Sequence, residues 1–174
     1  MHLSADAATK GEAMRRGVAV AIVIALNLLV LTPSGEAHST QRRFRGVRVM
    51  PGGVVVGDRI VYEGGAVAVV PDTGTLSFDS CPSGNLCLFD FVNWSGDLFI
   101  LSSCCAWNNL SNYGFNNRVS SWRNRLSDDG QLAKDAGGGG TKLCLDNNSY
   151  SSSMPSGWDN AASSARVRDA STYC

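Results

Sequence analysis

Short apolar runs alternate with turn residues from Gln41 to Thr75. Val47–Met50, Val54–Val56, Ile60–Tyr62 and Ala66–Val70 are separated by Pro51-Gly52-Gly53, Gly57-Asp58 and Gly64-Gly65. β-Branched runs punctuated in this way predict strands in hairpins. Residues 38–80 therefore read as a β-rich arm, either an extra sheet on the domain or a removable pro-segment. From Cys81 onward the pattern changes to short strands, Phe99-Ile100-Leu101 and Leu143-Cys144-Leu145 among them, joined by long polar stretches. Helical periodicity appears nowhere in the mature chain.

The second region is written twice. Asn116-Asn117-Arg118-Val119-Ser120-Ser121 and Asp159-Asn160-Ala161-Ala162-Ser163-Ser164 share the form [Asn/Asp]-[Asn/Asp]-x-x-Ser-Ser at an offset of 43 residues. Alternating arginines follow each copy, Arg123 and Arg125 in one, Arg166 and Arg168 in the other. A fixed offset marks a repeated supersecondary unit. The repeat extends upstream, where Phe89 to Gly96 places aromatics at Phe89 and Trp94 before a glycine. Ala133 to Gly140 occupies the matching frame, with Ala133 and Gly138 in the aromatic positions, so the second copy is degraded. Each unit reads strand, glycine turn, strand, long polar loop, strand. Two such units predict a pair of Greek keys in a small all-β sandwich.

The N-terminus departs from this pattern. Arg15 and Arg16 precede an apolar run from Val18 to Leu31, followed by small residues at Gly35 and Ala37. That order predicts a secretory signal over residues 1–37, with Met14 as an alternative start. Its removal takes Lys10, Arg15 and Arg16 against Asp6, Glu12 and Glu36, so a formal charge of zero persists in the mature chain. Neutrality argues against a nucleic-acid partner, because that affinity rests on a basic surface. The predicted organisation is a signal over 1–37, the arm over 38–80 and one domain over 81–174.

Six cysteines lie beyond the signal: Cys81, Cys87, Cys104, Cys105, Cys144 and Cys174. An even count in an exported chain points to disulfides. Adjacent cysteines rarely meet the separation and torsion a bridge requires. If Cys81 pairs with Cys87, the expectation is therefore Cys104 with Cys144 and Cys105 with Cys174, or the reverse.

These features resemble two related groups. The aromatic-x4-aromatic-x-Gly segment followed by the Asn/Asp-Ser motif, twice, resembles the βγ-crystallin domain. Cys81-Pro82-Ser83-Gly84-Asn85-Leu86-Cys87, running into Leu88-Phe89, resembles the secreted microbial metalloproteinase inhibitors grouped as peptidase inhibitor family 36. The resemblance implies a βγ-crystallin-like sandwich of two Greek-key motifs, here preceded by an N-terminal β-hairpin arm. It also implies a Cys81–Cys87 bridge, and a monomer that blocks an extracellular metalloprotease by inserting a disulfide-braced loop. Ser102 to Leu110 and Asn147 to Trp158 are the candidate loops. Calcium is the implied cofactor, held in a double clamp. Ser120 and Ser163 would supply hydroxyls, and Asn116, Asn117, Asp159 and Asn160 side-chain oxygens. Arg118 and Ala161 would supply backbone carbonyls. Such hard oxygen ligands suit calcium. Only Asp159 is charged, and Arg118 places a cation in one loop, which Coulomb repulsion penalises unless its side chain swings into water. A dissociation constant on the order of 0.1–1 mM follows from so little ligand charge.

Other classes find less support. The predicted mature chain holds one histidine, His38, at its edge, and general-base chemistry most often uses histidine. Asp90 and Asp128-Asp129 read as solvated carboxylates in turns. Zinc has no ligand set once the cysteines are bridged. The runner-up is a calcium-binding structural or carbohydrate-binding module, with Trp94, Trp107, Trp122, Trp158, Tyr113 and Tyr150 as a candidate aromatic platform. Trp94 and Trp122 are expected in the core, and Trp107 and Trp158 in loops.

Overall fold

Extended segments rich in valine, leucine and phenylalanine become strands throughout the computed structural model, which describes residues 42–63, 67–74, 76–102, 104–169 and 174. The expected signal over 1–37, Met14 and His38 lie outside the described residues. The strands are β1 (Arg43–Phe44), β2 (Val47–Arg48), β3 (Val54–Val56), β4 (Arg59–Val61), β5 (Val67–Val70), β6 (Leu86–Phe91) and β7 (Ser95–Leu101). They continue with β8 (Asn108–Asn109), β9 (Ser121–Asn124), β10 (Gly130–Ala133), β11 (Lys142–Leu145), β12 (Tyr150–Ser151) and β13 (Ser164–Val167). Short 3-10 turns are the only helical elements among the described residues.

All the long-range strand pairs are antiparallel and form two principal sheets. One has the order β12-β9-β6-β7-β5-β4-β3, the other β11-β10-β13-β8. The first repeat contributes β6 to β9 and the second β10 to β13. Each repeat sends its third strand into the sheet of the other: β8 pairs β13, and β12 pairs β9. This exchange closes two Greek keys into one βγ-crystallin-like sandwich. The two exchanged strands are two residues long and polar, so no hydrophobic alternation announces them.

Leu86, Leu88, Phe99, Leu101 and Trp122 from one sheet meet Leu132, Leu145, Ala165 and Val167 from the other in a common core. Burying each large apolar side chain stabilises the fold by about 1.5–3 kcal/mol. The alternate residues of β6 and β7, Cys87, Phe89, Leu98 and Ile100, face a second cluster with Val70 and Cys81, against which Leu76 packs. β6 is therefore buried on both faces, and its run LCLFDF shows no polar alternation until Asp90.

The arm continues the first sheet. β5 pairs β7 from Val67↔Leu101 to Val70↔Leu98, and Val47, Ile60, Tyr62 and Val69 join the main core. β3 forms the outer edge, with Val54 and Val56 exposed.

The disulfides are Cys81–Cys87, Cys104–Cys105 and Cys144–Cys174. The first agrees with the resemblance. The other two correct the expected crossing pairs: the fold brings Cys144 and Cys174, 30 residues apart, to a Cα separation of 5.8 Å, within the range a disulfide needs, and Cys104 bonds its neighbour Cys105.

Candidate functional site

The two Asn/Asp-Ser loops meet at one end of the sandwich, and each reaches across to the other. Asn117 and Asn160 occupy matching left-handed conformations, with φ of 54° and 52°, a region that asparagine tolerates better than most residues. Their backbone amides donate reciprocally, Asn117 to the Ala162 carbonyl at 2.9 Å and Asn160 to the Val119 carbonyl at 3.0 Å. Ser120 and Ser163 donate backbone N–H groups to Phe89 and Ala133, the equivalent positions of β6 and β10, both at 2.9 Å.

The hydroxyls follow the same symmetry. Ser120 Oγ donates to Asp159 Oδ1 at 2.6 Å and lies 3.4 Å from Asn160 Oδ1, while Ser163 Oγ donates to Asn117 Oδ1 at 3.3 Å. Ser120, Asp159 and Asn160 thus present a hydroxyl, a carboxylate and an amide oxygen together, a donor set that fits a hard cation. The Ser163–Asn117 side offers neutral oxygens only. Asn116 is solvent-exposed, Ala161 half-buried.

The second serine of each pair has a different task. Ser121 Oγ donates to the Phe91 carbonyl at 2.6 Å and accepts from the Trp94 amide at 3.1 Å. Ser164 Oγ donates to the Asp135 carbonyl at 2.7 Å and accepts from the Gly138 amide at 3.0 Å. Each pins the folded-over turn of its own unit. In that turn Asn93 and Trp94 on one side, Gly137 and Gly138 on the other, have positive φ. The repeated Ser-Ser therefore combines one hydroxyl for the clamp with one for the turn.

Arg118 does not extend into water. Its guanidinium binds the Asp90 carboxylate and Asp97 Oδ2, the latter at 2.5 Å, and donates to the Gly114 carbonyl at 2.9 Å. It also lies 4.9 Å from the centre of the Phe115 ring. Two carboxylates neutralise its charge, which removes the reason to leave the protein. Asp90 is likewise corrected from a solvated carboxylate to a buried one. The pairing of β6 with β7 shifts register between Phe89 and Phe91, at Asp90, and Gly96 leaves room for its carboxylate; a Cβ there would sit 1.8 Å from Asp90 Oδ1. Burial pushes the Asp90 carboxyl above its ordinary pKa, with Arg118 pulling the other way. For Arg118, burial opposes the charge, but the Asp97 and Asp90 carboxylates raise its pKa. Asp129 is also buried; it accepts the backbone amides of Asn147 at 2.9 Å and Cys174 at 3.0 Å.

Between β7 and β8 the Cys104–Cys105 bridge and Ala106 are solvent-exposed. The loop is anchored behind by Trp107, half-buried against Gly138 and 4.6 Å from the Arg166 guanidinium. The other candidate loop, Asn147 to Trp158, is held down by β12 and by the buried Met154 and Trp158.

The aromatic platform does not assemble as one surface. Trp122 and Trp158 are in the core, the second contrary to its expected loop position; Tyr113 is half-buried against Tyr62 and Phe99. Trp94, expected in the core, is half-buried beside Phe78 and Tyr150 because its indole N–H is drawn to the Trp122 carbonyl at 3.2 Å.

The topology and the duplicated clamp define an all-β protein with a βγ-crystallin-like domain. The model of peptidase inhibitor family I36 matches residues 75–132, and the chain resembles that family over this segment. No curated protein matches the chain. Among solved structures, a βγ-crystallin domain from Flavobacterium johnsoniae is 25% identical, with a TM-score of 0.42 over 51% of this chain and 98% of that one. A βγ-crystallin from Ciona intestinalis is 26% identical, with a TM-score of 0.42 over 49% of this chain and all 100% of that one. A structure described under the evolution of the eye lens βγ-crystallin domain fold is 25% identical, with a TM-score of 0.45 over 49% and 87% of the two chains.

Proposed function

We propose that this protein is a secreted peptidase inhibitor whose Cys104–Trp107 segment enters the cleft of an extracellular, thermolysin-like metalloprotease. The observation that carries this reading is the exposed, disulfide-bonded Cys104-Cys105-Ala106 segment between β7 and β8, in a chain that resembles peptidase inhibitor family I36. A loop already ordered before binding loses little conformational entropy in the complex, so more of its contact energy appears as affinity. Inhibition on this reading is occlusion; no residue performs chemistry on the protease. The protein acts as a monomer, and the rest of the domain serves as a rigid mount.

Calcium binds weakly at the Ser120, Asp159 and Asn160 oxygens and stiffens the loops without entering the inhibited complex. The test is a titration of a thermolysin-like protease with the purified protein, with calcium held equal for the protease in every arm. Stoichiometric loss of activity, abolished by changing both Cys104 and Cys105 to serine, is the expected result. Full protease activity at micromolar inhibitor would leave a crystallin-type module without inhibitory action.

A further inference from the structure

The alternating arginines after the first Ser-Ser pair are absorbed neither by the clamp nor by the exposed loop. Arg123, in β9, and Arg125, just beyond it, share a polar cleft of about 250 Å³ with Ser83, Asn148, Ser149 and Tyr150. Their counterparts in the second repeat are engaged with a side chain: Arg166 donates to Gln131 Oε1 at 2.8 and 3.1 Å, Arg168 at 3.3 Å. Arg123 and Arg125 are held mainly by backbone. Arg123 Nη1 donates to the Phe78 carbonyl at 2.7 Å, and its guanidinium carbon lies 3.5 Å from the centre of the Phe78 ring. Arg125 Nη1 donates to the Cys81 carbonyl at 2.8 Å.

Each guanidinium therefore has a fixed position, while Nε and Nη2 of both have no hydrogen-bond partner among the described residues. Among the described residues the one carboxylate in contact is Asp79, 3.2 Å from Arg123 Nη1 and 90% exposed. In a chain of zero formal charge this cleft holds a local excess of positive charge. Rigidly held forks of donors suit a carboxylate, which accepts two parallel N–H bonds.

We infer that the cleft binds an acidic sugar, a uronate residue of a glycan. The carboxylate pairs with Arg123 and Arg125. The Ser83 and Ser149 hydroxyls and the Asn148 amide, which have no partners among the described residues, take ring hydroxyls. Tyr150, 59% exposed, offers a flat apolar face to the pyranose, and its ring is braced edge-on by Phe78 at 5.0 Å. The cleft is smaller than a typical drug-sized pocket of about 300–1,000 Å³, which suits a single sugar unit. An acidic peptide would satisfy the arginines and leave the three hydroxyl-binding groups without use, which favours the sugar. This site is separate from the inhibitory loop and extends the protein's action to acidic glycan surfaces.

The test is calorimetric titration of the full protein with tetragalacturonate, neutral maltotetraose and tetraglutamate as parallel probes. Tetragalacturonate is expected to bind at or below about 1 mM, with no heat from maltotetraose at the same concentration. Arg125→Gln is expected to weaken uronate binding about tenfold, because one charge-assisted hydrogen bond is lost. Tyr150→Ala, at an exposed side chain, tests the same site should the arginine variant fail to fold, and weakens binding without lowering the melting temperature. Equal binding of neutral and acidic sugars, tighter binding of tetraglutamate, or no uronate binding at tens of millimolar would each overturn the inference.

Discussion

Replacing Arg118 with methionine isolates the ion cluster that sets one clamp loop. Arg118 is 31% exposed, whereas its partners Asp90 and Asp97 are only 8% and 16% exposed as side chains. Methionine keeps the stem against Phe115 but leaves two carboxylates close together without their cation. Removing one member of a buried pair costs about 3–5 kcal/mol, because the remaining charge is stranded. Partial exposure of Arg118 places this case at the low end, about 3 kcal/mol, equivalent to about 10 °C in melting temperature for a domain of this size. Urea denaturation followed by tryptophan fluorescence measures it. Adding Asp90→Asn to the methionine variant should recover part of the loss, a coupling of about 1–3 kcal/mol. The penalty should also shrink in acid, where Asp90 takes a proton and the stranded charge disappears. A loss under about 1 kcal/mol, or the absence of coupling to Asp90, would show that the cluster behaves as a solvated surface pair and that the reasoning fails.

Asp90 itself has a folded pKa raised above 3.8, so its contribution to stability is fully present below that value and lost as pH rises through the folded pKa. Melting curves should therefore show the stability of the native protein relative to Asp90→Asn falling between acid and neutral pH; a rise would reverse the assignment. Gly96→Ala should be far worse than Gly114→Ala, since the added Cβ meets Asp90 Oδ1 at 1.8 Å in the first and ordinary contacts of 3.7 Å or more in the second, a difference of about 2 kcal/mol or more by denaturant titration. Ser120→Ala with Ser163→Ala should abolish the rise in melting temperature with calcium, and an unchanged rise would place the cation elsewhere. Removing Cys144–Cys174, which spans 30 residues, should cost about 3–4 kcal/mol by loop entropy. Removing Cys104–Cys105, which spans 1, should leave stability nearly unchanged while abolishing inhibition, a contrast read from calorimetry and protease assays together.

Local chemistry makes much of the fold legible in the sequence. Valine runs broken by Pro-Gly and Gly-Asp pairs became β3, β4 and β5 because turn and strand preferences are properties of a few neighbouring residues. The duplicated Asn/Asp-Ser motif announced the paired loops for the same reason, since left-handed asparagines and serine hydroxyls act over short range. Even the degraded second copy was readable: Gly137 and Gly138 hold the positive φ values that Asn93 and Trp94 hold in the first.

The sequence by itself determined the strand types, the twofold repeat and the oxygen-rich loops, because each depends on periodicity or on side chains close in the chain. Tertiary structure alone decided which partners meet. β8 and β12 change sheets although neither has an apolar pattern, because the opposite repeat offers the free edge. Arg118 turns inward because Asp90 and Asp97, 28 and 21 residues away, form a carboxylate pair that water would serve less well. Cys104 bonds its neighbour once Cys144 is taken by Cys174, and Arg123 and Arg125 gain a cleft from Ser83 and Tyr150, residues on separate segments. Such pairings are chosen by packing across the sandwich, where the energy of a contact depends on which distant residue the topology delivers.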